Sequence, residues 1–90
     1  MKVSNMQGKN GNSIPNQFII NTPEATYFQS YESNIVKTTF EDGRRVVYLD
    51  RTYWDYSRTT GKYRNQFLGE TKKETEAKIK SGEYKLTDLN

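Results

Sequence analysis

Cysteine and histidine are both absent from this 90-residue chain. Without cysteine there is no disulfide framework and no thiolate chemistry. Because small secreted domains often depend on disulfides, this absence favours an intracellular location. Without histidine the chain lacks the commonest general base and the commonest transition-metal ligand.

Large apolar residues are also scarce, since leucine, isoleucine, valine and phenylalanine make up 17 of the 90 residues. No apolar run approaches the roughly 18 residues that a membrane span needs, and no apolar segment follows Lys2 as in a signal peptide. Seven tyrosines, four phenylalanines and one tryptophan are present instead. With a net charge of only +3, this composition indicates one small folded domain with a thin core.

The first 16 residues are rich in asparagine and glycine and show no periodicity. Such a segment loses much entropy on ordering and buries little apolar surface in return. We therefore predict a flexible N-terminal arm over residues 1–16, either a frayed terminus or a segment that orders on a partner. A single small domain is expected over residues 17–90.

Short segments rich in β-branched and aromatic residues predict strands in the first half of that domain. They cover residues 17–21, 26–31, 34–40 and 45–49. Asp42-Gly43 lies between the last two and supplies the positive φ angles of a tight hairpin turn. The pattern predicts an antiparallel meander of three or four strands.

Two helices are predicted in the second half. Ser57 can cap a helix that runs to about Leu68. Thr71 and Glu74 form a capping box for a second helix, which runs to about Ser81. A glycine follows each helix and suits its C-terminal stop. The expected fold class is therefore α+β, with the antiparallel meander packed against two C-terminal helices.

The last residues, from Tyr84 onwards, alternate loosely between apolar and polar side chains. This pattern is typical of a closing edge strand or a docked tail. The lysines of the second helix interleave with glutamates, which predicts a solvated helix face with favourable ion pairs between Glu74 and Lys78 and between Glu76 and Lys80.

Enzyme signatures are missing from the sequence. Gly8 and Gly11 do not stand between a strand and a helix, as a phosphate-binding loop requires. Asp50 and Asp55 could form a carboxylate pair, but they are more simply explained as neutralising the nearby arginines at 51 and 58. We therefore expect no catalytic residue, no metal site and no cofactor.

The most informative stretch is residues 44–64, where six basic residues stand against two acidic ones and five aromatic residues are interleaved. Basic groups can neutralise phosphates, exposed aromatic rings can stack on bases, and the arginine fork suits both tasks. This combination predicts a nucleic-acid interface. The predicted contact residues are Arg44, Arg45, Arg51, Tyr53, Trp54, Arg58, Lys62 and Arg64.

Two other interpretations of the same stretch stay open. The aromatic residues can instead form the core of a domain that is poor in leucine, with the arginine stems covering its rim. Tyrosine, tryptophan and arginine are also the residues that dominate protein–protein hot spots. Composition alone does not distinguish a nucleic-acid partner from a protein partner.

Three segments carry a resemblance to known proteins: YFQSY at residues 27–31, YWDYSRTTGKY at 53–63 and FLG at 67–69. Over residues 17–90 the chain resembles small uncharacterised proteins of bacteriophages and mobile elements of Gram-positive bacteria. The resemblance implies an accessory protein in the cytoplasm of a bacterial host cell. It implies no activity and no site residues, although such proteins often bind nucleic acid or block a host protein.

The favoured hypothesis is a non-enzymatic accessory protein that binds nucleic acid, with salt-sensitive and weakly sequence-specific affinity. The alternative is a protein-binding module that inhibits or modulates a host protein, for example an anti-defence inhibitor. It would use the same surface or an exposed strand edge. A homodimer formed through such an edge is a third possibility, and no membrane partner is expected.

Overall fold

The computed structural model describes all 90 residues, which form six strands and two helices. The elements are β1 (Lys2–Gln7), β2 (Ser13–Asn21), β3 (Ala25–Ser30), β4 (Ser33–Glu41), β5 (Arg44–Asp50), α1 (Arg58–Leu68), α2 (Lys72–Ser81) and β6 (Tyr84–Thr87). The predicted α+β class and the two helices near the C-terminal end are confirmed. Neither helix has the length and apolar content that crossing a membrane requires.

The strands form one sheet in the order β1-β2-β3-β4-β5-β6. Strands β1 to β5 are an antiparallel meander, whereas β6 pairs in parallel with β5 after the chain has passed through both helices. The prediction of three or four strands is therefore too low. The two additional strands lie at the two edges of the sheet.

The prediction of a flexible N-terminal arm over residues 1–16 is wrong. These residues form β1 and the beginning of β2, which pair as a hairpin. Met6 is buried against the core, and the Asn5 side-chain amide donates a hydrogen bond to the Ile14 carbonyl oxygen. Backbone pairing holds this hairpin, and backbone groups pair whatever the side chains are. A polar composition therefore concealed it.

The local signals for turns and helix ends are confirmed. Asp42 and Gly43 have φ angles of 54° and 78° in the turn between β4 and β5. The Ser57 hydroxyl oxygen accepts a hydrogen bond from the Thr60 amide at 3.1 Å, and Thr71 opens α2 with a complete capping box. Each helix is followed by a glycine in the left-handed region.

The core lies on one face of the sheet. Phe28, Val36 and Leu49 are fully buried there, and their positions in the strand register place them opposite one another. Phe67 of α1 stacks on Phe28 with ring centroids 5.7 Å apart, and Ile79 of α2 packs against the same cluster. Both helices therefore cover this face.

The opposite face of the sheet carries no helix. One residue of each strand lies in a row across it, because each is the register partner of the next. The members of this cross-sheet row are Val3, Ile20, Tyr27, Lys37, Tyr48 and Lys85. Within the row the Lys37 ammonium lies 6.0 Å from the Tyr27 ring centroid and 5.7 Å from the Tyr48 ring centroid.

Candidate nucleic-acid interface

The eight predicted contact residues do not form one surface. Arg44 and Arg45 are exposed at the start of β5, next to the hairpin turn. Arg51 follows β5, and its guanidinium Nε lies 3.7 Å from a carboxylate oxygen of Asp88, with both side chains largely exposed. Of the six basic residues in this set, the structure brings together only those of α1, at positions 58, 62 and 64.

These three residues line a cleft of about 430 Å³ between the start of α1 and the start of α2. No hydrophobic side chain lines it. We call it the basic cleft, and its residues are Asp55, Ser57, Arg58, Gly61, Lys62, Arg64, Asn65 and Lys72. It therefore contains four cationic side chains and one carboxylate.

Helix geometry explains why Arg58 and Lys62 share the cleft, since residues four apart lie on one helix face. Gly61 lies beside them and is itself buried. A Cβ at this position would stand 3.6 Å from Nη1 of Arg64 and 3.7 Å from the Asp55 carboxylate, which is ordinary van der Waals contact. The glycine therefore leaves space in the cleft, but the backbone conformation at this position does not require a glycine.

Arg64 does not fit the predicted role of phosphate contact, because its side chain is only 1% exposed. Its Nη1 donates to the Trp54 carbonyl oxygen at 2.6 Å and to the Asp55 carboxylate at 3.2 Å. Its Nη2 donates to the Asn65 side-chain oxygen at 3.0 Å. The hydrogen bonds of Arg64 thus link the segment before α1 to the helix, and its side chain lines the inner wall of the basic cleft.

Asp55 joins the two helices. It accepts hydrogen bonds from Arg64 of α1 and from the Lys72 ammonium of α2, the latter at 2.7 Å. Partial burial is the largest influence on this carboxyl and favours its neutral form, but the hydrogen bonds from Lys72 and Arg64 together outweigh it. The pKa of Asp55 is therefore below its ordinary value. The carboxylate stays ionised at neutral pH and neutralises part of the positive charge beside it.

The predicted stacking residues Tyr53 and Trp54 are half-buried and pack against the core. The Arg64 guanidinium lies 5.2 Å from the Trp54 ring centroid and covers one face of that ring. Tyr53 meets Tyr56 edge to face, with centroids 5.5 Å apart, and Tyr56 remains 50% exposed. Tyr56 is therefore better placed for stacking than either predicted residue.

Tyr31 is the other exposed tyrosine, and sequence reasoning did not assign it to the site. It lies in the turn between β3 and β4 with a φ angle of 56°, a conformation unusual for a bulky residue. Its amide donates to the Asn16 carbonyl oxygen at 2.7 Å, and Asn16 itself has a φ angle of 64°. No sequence pattern indicates this arrangement.

Tyr31 and Tyr56 line a second cleft, of about 590 Å³. We call it the aromatic cleft, and its residues are Asn16, Phe18, Tyr31, Glu32, Ser33 and Tyr56. Tyr56 of the aromatic cleft directly precedes Ser57 of the basic cleft in the chain. The two clefts therefore have lining residues that are neighbours in the chain just before α1.

The buried carboxylates outside these clefts accept hydrogen bonds that hold the fold together. Asp50 accepts from three backbone amides, including that of Leu89 in the C-terminal tail, and not from its neighbour Arg51. Lys78 pairs with Glu70 at 2.8 Å and not with Glu74. The predicted partners of Asp50, Asp55 and Lys78 are therefore wrong. Aspartates and glutamates nowhere form a group of three that could hold a metal ion.

Comparison with known proteins shows the family of this chain. The model of a family of unknown function, DUF8033, matches residues 1–83, which is most of the chain. No curated protein and no solved structure gives a significant match. A proposal about function therefore rests on the geometry of the two clefts.

Proposed function

We propose that this chain, which belongs to the DUF8033 family, is a non-enzymatic protein that binds nucleic acid with phosphate groups in the basic cleft. One observation carries the proposal. Arg58 and Lys62 have no carboxylate partner within ion-pair distance, while the only carboxylate in the cleft is already shared by Arg64 and Lys72. Two cations are therefore free to meet an anion.

Several features favour nucleic acid over a small anion. The chain is basic, with a pI near 9.2, which supports attraction of a polyanion. The arginine fork of Arg58 can bind two oxygens of one phosphate. Tyr56 stands beside the cleft with half of its surface exposed, and such rings stack on bases. The resemblance stated above supports a bacterial accessory protein in the host cytoplasm as the setting.

The salt dependence of binding follows from the number of cations. If Arg58 and Lys62 each neutralise one phosphate, affinity falls with salt with a log–log slope of about −1.4 for single strands and about −1.8 for duplexes. Raising salt fourfold would then weaken binding by about sevenfold for single strands and about twelvefold for duplexes.

The experiment is fluorescence anisotropy of labelled single- and double-stranded DNA and RNA at about 50 and about 200 mM salt. The test variant combines Arg58→Gln with Lys62→Gln. The control combines Lys9→Gln with Lys80→Gln, which removes the same charge from exposed positions outside the cleft. We expect the test variant to lose at least about tenfold in affinity and most of the salt slope. Equal losses in both variants would show that binding is diffuse, and no binding by the natural chain would refute the proposal.

The second candidate function is binding to a host protein, and the uncovered face of the sheet favours it. The cross-sheet row leaves Val3 53% exposed at one end, and β1 has a free edge of six residues. A free edge can pair with a strand of a partner or of a second copy. Val3→Lys should then weaken the complex while leaving DNA binding intact. Light scattering of the natural chain would reveal a homodimer.

A further inference from the structure

We infer that the aromatic cleft holds one unpaired base of a single-stranded nucleic acid, and that this base is one that carries an amino group. The inference rests on the proposed function, because it takes the basic cleft as the place of the neighbouring phosphates. It adds a second site, a preferred form of nucleic acid and a preference among bases.

The aromatic cleft collects side chains from three separate parts of the chain. Phe18 comes from β2, Tyr31 from the turn between β3 and β4, and Tyr56 from the segment before α1. Tyr31 and Tyr56 are the two exposed tyrosines among the seven in the chain, and both line this cleft. Proteins bind the unstacked bases of single strands on aromatic rings of this kind.

The backbone of Tyr31 supports a role for its side chain. A φ angle of 56° is easily adopted by glycine or asparagine but is unfavourable for tyrosine. Hydrogen bonds hold it there, since its amide donates to Asn16 and its carbonyl oxygen accepts from the Gln29 side chain at 2.7 Å. Strained residues of this kind concentrate at binding sites, and here the strain directs a ring into an open cleft.

The size and position of the cleft fit a base attached to a strand. Its volume of about 590 Å³ lies within the usual range for organic ligands. Because Tyr56 directly precedes Ser57, a base in the aromatic cleft and a phosphate in the basic cleft can belong to neighbouring nucleotides. A duplex does not present such a base, so a single strand is the expected ligand.

Glu32 supplies the preference among bases. It is the only charged residue that lines the aromatic cleft, and a carboxylate oxygen can only accept hydrogen bonds. It therefore favours a base with an amino group, such as the N4 amino group of cytosine. Uracil has a carbonyl oxygen at that position, which the carboxylate would repel. The same negative charge steers phosphates away from this cleft and towards the basic one.

The test compares labelled oligocytidylate and oligouridylate of about 12 nucleotides, and the matching duplex, by fluorescence anisotropy at low salt. The variants are Tyr56→Leu, Tyr31→Leu and Glu32→Gln, each checked for folding by circular dichroism. The control is Phe40→Leu, because Phe40 is 74% exposed and lines neither cleft. We expect each tyrosine variant to lose about tenfold in affinity for single strands, with no loss for duplex or in the control.

Base preference gives an independent readout. The natural chain should bind oligocytidylate about fivefold to tenfold more tightly than oligouridylate, and Glu32→Gln should bring this ratio towards one. If the tyrosine variants bind single strands as the natural chain does while the Arg58→Gln and Lys62→Gln variant does not, the inference is wrong and the proposed function stands. If the natural chain binds no nucleic acid at all, both fail together.

Discussion

The buried carboxylate of Glu70 is the most sharply testable element of the fold. Its side chain is 5% exposed and accepts hydrogen bonds from the Lys78 ammonium at 2.8 Å, the Tyr84 hydroxyl at 2.7 Å and the Thr75 hydroxyl. These contacts connect the segment between the helices to α2 and to β6. Replacing Glu70 with alanine removes the acceptor for all three donors at once.

The expected cost follows from what each donor can do afterwards. Lys78 is 35% exposed and can return to water, so its loss is small. Tyr84 and Thr75 are buried and would keep hydroxyl groups without this acceptor, at about 1–3 kcal/mol for each unpaired group. Thr75 also donates to the Thr71 carbonyl oxygen, which limits its share. We therefore expect Glu70→Ala to lower the free energy of unfolding by about 3 kcal/mol.

The assay is urea unfolding followed by the fluorescence of Trp54, the only tryptophan in the chain. Tyr84→Phe is the matched variant, because it removes one hydroxyl and leaves the carboxylate with two donors. It should lower the free energy of unfolding by only about 1 kcal/mol. If Glu70→Ala costs no more than Tyr84→Phe, the carboxylate is not the centre of this network and the reasoning fails.

Three further predictions concern stability. Asp50→Asn should lower the free energy of unfolding by about 1–3 kcal/mol in urea titrations, because three backbone amides lose a charged acceptor, whereas the exposed Asp88→Asn should cost less than about 0.5 kcal/mol. The pKa of Glu70 is lowered, because its hydrogen bonds to Lys78, Thr75 and Tyr84 outweigh the larger single influence of burial, which raises it. Because the folded pKa of Glu70 lies below its unfolded value of 4.5, the ionised carboxylate stabilises the fold above that pH, and this contribution is lost as pH falls through the folded pKa. Measured Tm should therefore drop on acidification, and it should drop less steeply in Glu70→Gln. Gly61→Ala should raise the free energy of unfolding by up to about 1 kcal/mol, because alanine favours a helix over glycine and the new Cβ would meet Arg64 at an ordinary contact distance. A measured loss of stability would mean that Arg64 is packed more tightly than these distances indicate.

Local sequence signals predicted the parts of the fold that depend on few neighbouring residues. The Asp42-Gly43 turn and the capping box at Thr71 depend on side chains within three residues of the backbone groups they serve. Strand β1 was missed because its own side chains are mostly polar, although its partner β2 follows after a short loop. The parallel pairing of β6 was out of reach for a different reason, since it depends on how two helices return the chain to the distant strand β5.

The candidate site shows the same division between local and distant causes. Arg58 and Lys62 could be placed together from helix periodicity alone. Periodicity also places Arg64 on a different face from these two, but it does not reveal that Trp54 and Asp55, before the helix begins, accept its hydrogen bonds. An arginine in a basic stretch can therefore be an exposed contact residue or a buried structural residue. Nearby carbonyl and carboxylate groups decide between the two, and helix periodicity does not reveal those groups.

The distribution of charge between the two clefts gives the proposed site a direction. The basic cleft keeps an excess of cations, because Asp55 is shared by Arg64 and Lys72 and leaves Arg58 and Lys62 free. The aromatic cleft carries the single negative charge of Glu32. A nucleic-acid strand has negative phosphates on one side and uncharged bases with amino donors on the other. Its phosphates therefore favour the basic cleft and its bases the aromatic one, so in the proposed complex the strand lies across Tyr56 with its phosphates towards the basic cleft.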